Sequence, residues 1–424
     1  MLDINLIRQN PDYVKKSLAK KGADVDFTEF LAQDAKKREL MAEVEKLKAQ
    51  RNTNSSLVPQ YKKEGKDVSE LISATKKIGE DIAKLDSDIA EIDKTMTEFM
   101  LSLPNMPDDD LLAGEKENNK VIHEFGTKPE FDFKPLSHIE LCEKLGLIDY
   151  ERGAKLAGNG SWIYRGMGAR LEWALVNFFI DEHIADGYEF VLLPHMLNYE
   201  CGLGAGQFPK FSDEVYWIDN KSETSKFLLP TAETALVNIY RNEVLKESDL
   251  PKKFAGYTPC YRREAGSYRS EERGMIRGHQ FNKVEMVQYT KPADSDKAFE
   301  ELVGKAEKLV QKLGLHYRLS KLAAGDCSAS MCRTYDIEVW IPSMGIYKEV
   351  SSASNARDYQ ARRSNTRYRN EETKKLEFVH TLNASGLATS RLFPAILEQY
   401  QNADGSVTIP EVLRKYLGGL EVLR

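Results

Sequence analysis

Cysteine is scarce, with five residues in 424, at Cys142, Cys201, Cys260, Cys327 and Cys332. The number is odd, none forms a C-x-x-C pair, and Cys327 and Cys332 lack partners at zinc-ligand spacing. A disulfide framework and a structural zinc are therefore not expected, and a reducing compartment is. Long apolar runs are missing too. No stretch approaches the ~20 apolar residues of a membrane helix, and "MLDINLIRQNPDYVKK" lacks the basic-then-apolar order of a secretory leader. The expectation is a cytoplasmic protein with no membrane partner. Positive charge is not in excess: 60 Lys and Arg against 66 Asp and Glu leave −6, so affinity for a polyanion must come from a local patch. No G-x-x-x-x-G-K-[ST] and no post-strand G-x-G-x-x-G occurs, so neither a P-loop nor a dinucleotide fold is supported.

What is present divides near residue 104. The composition, 41% hydrophobic and 30% charged, is that of a soluble chain, and its length suits two or three domains. Before residue 104 apolar residues recur in sevens. Leu71, Ile78, Leu85, Ile92 and Phe99 form one row, and Ile82, Ile89 and Met96 form a second. Two interleaved rows are the seam of a coiled coil. Leu40, Val44, Leu47 and Val58 mark a weaker companion stripe, with Arg51 and Asn54 in seam-like positions. Between them "KKEGKDVSE" offers Gly65 as a helix stop and Asp67 or Ser69 as a start. An antiparallel helical hairpin over about 28–101 is expected, its helices ~50 Å long and so projecting. The first helix is basic (Lys36, Lys37, Arg38, Lys46, Lys48, Arg51, Lys62, Lys63, Lys66). The second is acidic (Asp81, Asp86, Asp88, Glu91, Asp93, Glu98). Interhelical pairing explains this without a partner, and a basic face for a phosphate backbone explains it with one. Heptads alone do not choose.

"LPNMPDDDLLAGEKENN" (103–119) reads as a linker. Beyond it the pattern is α+β. Residues 168–188 form an amphipathic helix, and "EFVLLPHML" is expected as a buried strand ended by Pro194. Strands follow at 214–218, 226–229, 254–262, 280–289, 316–320 and 335–341, with helices at about 295–313 and 391–401. Strands in succession argue for a mixed, mostly antiparallel sheet.

The densest charge lies in "YRREAGSYRSEERGMIRGHQFNKVEM" (261–286), between two strand patterns. Alternation puts Arg262 and Glu264 on one face, and likewise Phe281, Lys283, Glu285 and Val287, with Val284 and Met286 opposite. Residues 266–278 are expected as a flexible flap. An arginine can clamp a phosphate, a phenylalanine face can stack on a base, and a carboxylate can meet an adenine amine, so the platform suits a nucleoside triphosphate. An ion-paired exposed hairpin is the plainer reading, but unpaired buried charge is costly. In "LLPTAET" (228–234) Thr231 and Glu233 read equally as a helix cap and its first-turn acid. "YKEVSSASN" (347–355) supplies hard oxygens from Glu349, Ser351 and Ser352 that suit Mg²⁺. In "HTLNASGLATSRLFPAILEQY" (380–400), Arg391 opens a helix against its dipole, as an anionic ligand would require.

In this order the blocks resemble the bacterial-type seryl-tRNA synthetases, which are class II aminoacyl-tRNA synthetases. The resemblance runs nearly end to end, through "GAGQFPKF", "DYQARRSNTRYR" and "GSVTIPEVLRKYLGG" as well. It implies an α+β fold: a tRNA-binding domain with a coiled-coil arm (1–103), a linker (104–120) and a class II catalytic domain (121–424). It implies three class II motifs, the first a dimer interface ending at Pro194, and a homodimer.

By resemblance, Arg262 binds the α-phosphate and the serine carboxylate. Glu264 reads the adenine amine, Phe281 stacks on the ring, and Arg277 and Arg391 hold the β- and γ-phosphates. Val350 and Ser351 line the ATP site, and Glu349 and Ser352 hold Mg²⁺. Thr231, Ala232, Glu233, Glu285, Asn383 and Ser385 line the serine pocket together with Arg262. Arg262 and Arg391 are the implied catalytic pair. The implied reaction makes seryl-adenylate from ATP and L-serine, then charges tRNA(Ser), and tRNA(Sec) as well. The arm then reaches the long variable arm of that tRNA. Ala388 and Ser390 depart from the general class motif, as does Leu392 where a glutamate is usual. Ala384 stands where many relatives carry glycine and is expected to put a methyl near the serine pocket. A carrier-charging acyl-adenylate enzyme is disfavoured by the intact arm. A non-catalytic scaffold is disfavoured by the intact charged residues.

Overall fold

A computed structural model gives the fold, and residues 1–219, 221–222, 224–264 and 274–424 are described. The chain divides into two compact units. One comprises Leu2–Lys16 and Asp24–Leu103. The other comprises Met1, Ser17–Ala23 and Pro104–Arg424.

The first unit is built on two long helices, α1 (Thr28–Lys63) and α2 (Ser69–Ser102). Glu29 lies in the first turn of α1 and Lys62 and Lys63 in its last, each favourable to the dipole. Gly65, at φ +69°, makes the turn, and Asp67 accepts from the Ser69 amide at 2.9 Å and its hydroxyl at 2.6 Å. Val44, Ile78 and Ile82 are buried between the helices, with Leu47, Leu85 and Ile89 around them. Each such side chain contributes ~1.5–3 kcal/mol if fully buried. Phe99 packs on Phe27 and Phe30 at 6.0 and 5.1 Å. Lys37 pairs with Asp93 across the helices, whereas Lys36, Arg38, Lys46, Lys62, Lys63 and Lys66 are exposed.

The second unit is organised by an eight-stranded sheet. Its strands are β1 (Lys120–Phe125), β2 (Glu189–Leu192), β3 (Lys252–Tyr261), β4 (Gln280–Thr290), β5 (Tyr317–Lys321), β6 (Arg333–Ile341), β7 (Ile346–Arg357) and β8 (His380–Ala388). Their order is β1-β5-β6-β7-β8-β4-β3-β2, antiparallel except where β2 runs parallel to β3. The strands expected near 214–218 and 226–229 form a separate three-stranded sheet with Met196–Asn198.

Three helices cover one face: α3 (Met167–Ala185), α4 (Ser295–Lys312) and α5 (Thr389–Gln399). Leu171, Phe179, Phe299, Leu302, Phe393 and Ile396 pack there against Val284, Met286, Ile337, Val339, Leu382 and Ala384. The strand period of two then turns Lys283, Glu285, Asn383, Ser385, Asp336 and Glu338 to the opposite face, where the site lies.

Two expectations need correction. The strand ending before Pro194 is not buried: β2 is the sheet's edge, and Leu192 is 76% exposed. Among the described residues β2 pairs with β3 alone, while Val191 packs inward on a buried cluster. Ala384 does not face the serine pocket. It pairs with Met286 and Ala353, all fully buried in the main core, so its methyl points beneath the sheet. The segment expected as a linker is held along this unit. Asn105 Nδ2 donates to the Ser330 and Ala356 carbonyls at 2.9 Å each, and Asp108 pairs with Arg333 and Arg357.

Candidate active site

Strand β3 ends at Tyr261, and the chain then turns: Glu264 has φ +49°. Arg262 and Glu264 reach one cavity through that turn and not by strand alternation. Arg262 Nε donates to the Pro230 carbonyl at 3.2 Å, and its guanidinium lies 5.3 Å from the Phe281 ring centre. Glu264 forms an ion pair with Arg277. Arg391, in the first turn of α5, donates to the Ile276 carbonyl at 3.2 Å and the Glu349 carbonyl at 3.0 Å. Its Nη1 is also 3.5 Å from the Glu349 carboxylate. These residues line a cavity of about 90 Å³ with Lys283, Val350, Ser385, Ala388 and Ser390. A groove of about 980 Å³ shares Arg277, Glu349 and Arg391 with it and runs on past Ser352, Asp336 and Arg318.

At this junction the electrostatics suit a triphosphate with a cation. Burial, then the Glu349 charge, raise Asp336 well above the usual carboxylate range. Burial pushes Glu349 up as well, but the Arg391 charge, the Ser352 hydrogen bond and the charges of Arg262 and Lys283 together outweigh it and hold that carboxyl low. Both carboxylates bond Ser352. Asp336 Oδ1 is buried with no hydrogen-bond partner, so the set has hard-oxygen capacity to spare. Among the described residues no group of three or more His, Cys, Asp or Glu is placed to hold a metal. A cation here would therefore lean on phosphate oxygens and water, as Mg²⁺ does.

Beside the cavity lies a cluster of buried polar side chains. Thr231, Lys283, Glu285 and Asn383 are each at most 6% exposed, and Ser385 is 9%. Lys283 Nζ bonds Thr231 Oγ1 at 2.6 Å and stands 2.5 Å from Glu285 Oε2. Glu233 Oε1 accepts from Gln360 at 2.8 Å and Asn383 at 3.1 Å. Burial, then the Glu285 charge, push the Glu233 carboxyl up to about 7. Glu285 and Ser385 face each other across β4 and β8. The Ser385 carbonyl accepts from Ser351 Oγ at 2.6 Å, and the Gly386 carbonyl is bonded by His183 Nε2 at 2.6 Å.

The structure thus brings Arg262, Glu264, Arg277, Phe281, Glu349, Ser352 and Arg391 together, and likewise Thr231, Glu233, Glu285, Asn383 and Ser385. Two expected residues sit differently: Ala232 packs into an apolar cluster, and the Ser351 hydroxyl is spent on Ser385. Val350 lines the smaller cavity from the edge of the main core. Leu392 is fully buried in the core, which is why a leucine suits a place where a glutamate is usual. Residues 265–273, including Tyr268, Arg269 and Arg273 of the expected flap, lie outside the described residues. Its later part is not loose: Met275 and Ile276 are buried, because they pack inward beside α5's Arg391 anchor. Lys283, Asp336 and Gln360 went unassigned from sequence, although alternation in β4 already put Lys283 on the correct face.

Residues 1–107 match the seryl-tRNA synthetase N-terminal domain, and residues 216–400 match the tRNA synthetase class II core domain (G, H, P, S and T). The chain is 63% identical to serine–tRNA ligase 2 of Clostridium acetobutylicum over 421 residues, 99% of each protein. It belongs to the seryl-tRNA synthetase family. The serine–tRNA ligase of Thermodesulfovibrio yellowstonii is 45% identical over the whole of both chains. Among solved structures, the seryl-tRNA synthetase of Pyrococcus horikoshii complexed with ATP superposes with a TM-score of 0.91 at 33% identity, covering 100% of this chain and 99% of that one. The cytoplasmic serine–tRNA ligase of Naegleria fowleri in complex with AMP gives 0.87 at 28%, with the same coverage. In this seryl-tRNA synthetase the matched class II core, 216–400, contains β3, β4, β8 and α5.

Proposed function

We propose that this seryl-tRNA synthetase activates L-serine with ATP, releasing pyrophosphate, and transfers serine from the adenylate to the 3′ end of tRNA(Ser), and of tRNA(Sec). The observation that carries the reading is the junction of two chemically distinct compartments at Arg262. One is lined by guanidinium groups, an aromatic ring and hard oxygens. The other is a buried cluster of carboxylates, amide and hydroxyls, whose chemistry suits a small zwitterion.

Phe281 stacks on the adenine and Glu264 receives its exocyclic amine. Arg277 and Arg391 hold the terminal phosphates. Arg262 spans the α-phosphate and the serine carboxylate, so nucleophile and electrophile meet in line. Glu349 and Ser352, with Asp336 beside them, would hold Mg²⁺, which when bound supplies neutralisation of phosphate charge. No side chain acts as a nucleophile. The rate enhancement comes from positioning and from fixed charges placed where negative charge develops. Glu233, Glu285 and Thr231 take the serine ammonium and hydroxyl, with Asn383 and Ser385 closing the pocket. A pocket built to bond a hydroxyl rejects alanine by ~10⁴-fold or more, since its polar groups go unpaired. Threonine is excluded only by size.

The exposed basic residues of α1 are the phosphate-contacting surface for the tRNA. A homodimer forms through α3 and β2, where Trp173 (53% exposed), Leu192 (76%) and Met196 (56%) leave apolar surface beside an unpaired strand edge. No helix of the described residues is long and apolar enough to cross a membrane, and all five cysteines are free, in keeping with a cytosolic enzyme. Pyrophosphate exchange with each amino acid, followed by charging of total tRNA, tests the whole reading. Serine-dependent exchange with charging is expected. Exchange without charging would mean a carrier substrate, and no exchange would mean a scaffold. Arg262→Ala should abolish exchange, and Arg262→Lys should restore little, because only the guanidinium fork engages two anions at once.

A further inference from the structure

Lys283 is a cation inside a pocket that must itself receive a cation. Its ammonium sits 2.6 Å from Thr231 Oγ1 and 2.5 Å from Glu285 Oε2, and all three residues are at most 6% exposed. Oε2 is ion-paired with that ammonium but, buried, makes no well-formed hydrogen bond. A buried carboxylate left in that state is costly, and a ligand that donates to it gains what the protein leaves unmade. The same lysine also lines the neighbouring cavity with Arg262, Phe281 and Glu349. One side chain therefore reaches both compartments, and its ammonium lies against the two groups, Glu285 and Thr231, that suit a substrate ammonium.

We propose that Lys283 is a displaceable counter-ion and a specificity determinant of the amino-acid pocket. The proposal rests on the reading that Thr231, Glu233 and Glu285 take L-serine. The serine ammonium displaces Lys283 from Glu285 and Thr231, donating to the oxygen the lysine leaves unbonded. The released lysine turns toward Arg262, where the substrate carboxylate and the α-phosphate carry negative charge. An amine without a carboxylate can evict Lys283 but gives its charge nowhere to go. The pocket thus demands both ends of the zwitterion, beyond what Arg262 alone requires.

The test compares wild type with Lys283→Met, using serine and ethanolamine, which is serine without its carboxylate. Serine-dependent pyrophosphate exchange should fall by ~10²-fold in kcat for Lys283→Met, the loss of one charge at the reacting phosphate. Ethanolamine should inhibit that variant ~10-fold or more tightly than wild type, because its ammonium now meets an unpaired buried carboxylate. A lysine that merely held the fold would weaken every ligand, so an inhibition constant unchanged or raised overturns the proposal. Lys283→Gln, which keeps a donor for Thr231, carries the same comparison if Lys283→Met does not fold. Glu285→Gln separates the two layers. If it leaves the KM for serine unchanged, the pocket assignment fails and the proposal with it. If it raises that KM while ethanolamine gains nothing in the lysine variant, the counter-ion role alone fails.

Discussion

Glu172 and Thr389 are 217 residues apart in sequence and joined by a hydrogen bond of 2.6 Å, from the threonine hydroxyl to Glu172 Oε1. The same oxygen accepts from Asn282 Nδ2 at 2.7 Å. One buried carboxylate on α3 therefore ties together β4, next to Phe281, and the start of α5, two residues before Arg391. Three elements far apart in sequence meet at a single group.

That group should make stability depend on pH. Burial pushes the Glu172 carboxyl up to about 7 from its ordinary 4.5. Folding thus favours the protonated form, so its contribution is whole below about pH 4.5 and is lost as pH rises through about 7. Glu172→Gln keeps an acceptor for both bonds and cannot ionise. It should stabilise the protein by ~1–3 kcal/mol at pH 8 and leave it unchanged near pH 4.5. Thermal melts at the two pH values check this, and an equal shift at both would refute it.

Glu233 carries the matching prediction for binding. Its carboxyl titrates at about 7, raised by burial and by Glu285, and only the ionised form attracts an ammonium. KM for serine should fall by about five- to ten-fold between pH 6 and pH 8. Glu233→Gln should raise KM and flatten the profile. A profile that keeps its slope in the variant would assign the titration elsewhere.

Removal of residues 45–95 should spare serine-dependent exchange and eliminate tRNA charging. The deletion takes Ile78 and Ile82 with most of α1 and α2 but touches no residue of the two cavities. Retained charging in the truncated protein would show that Lys46, Lys62 and Lys63 of α1 do not hold the tRNA.

Ala384→Gly tests the corrected position of that methyl. The side chain is fully buried between Met286 and Ala353. Its loss should cost ~1 kcal/mol of stability and leave KM for serine within error. A changed KM with unchanged stability would return the methyl to the pocket.

The architecture was legible wherever one residue type does one job. Heptads in 71–99 announced the helical pair, because a seam repeats and solvent-facing positions do not interrupt it. Alternation in β4 separated Val284 and Met286 from Lys283 and Glu285 for the same reason. The failures share a cause. Alternation assigns a face but not a partner, so the Lys283–Thr231 and Asp336–Ser352 contacts, which cross between strands or loops, stayed hidden. Glu264 shows a second limit, since the left-handed turn after Tyr261 breaks the period on which its placement relied. The edge strand β2 shows a third: an apolar run looks the same whether the strand lies inside a sheet or at its edge.

Strand β4 has a consequence for how this protein can change over generations. Val284 and Met286 build the floor under the sheet while Lys283 and Glu285, between them, work above it. Gaining or losing one residue in this strand would invert every later side chain, sinking the charges and lifting the apolar groups into the site. Insertions and deletions are thereby shut out of 280–288. Length is free to drift only in the loops that flank it.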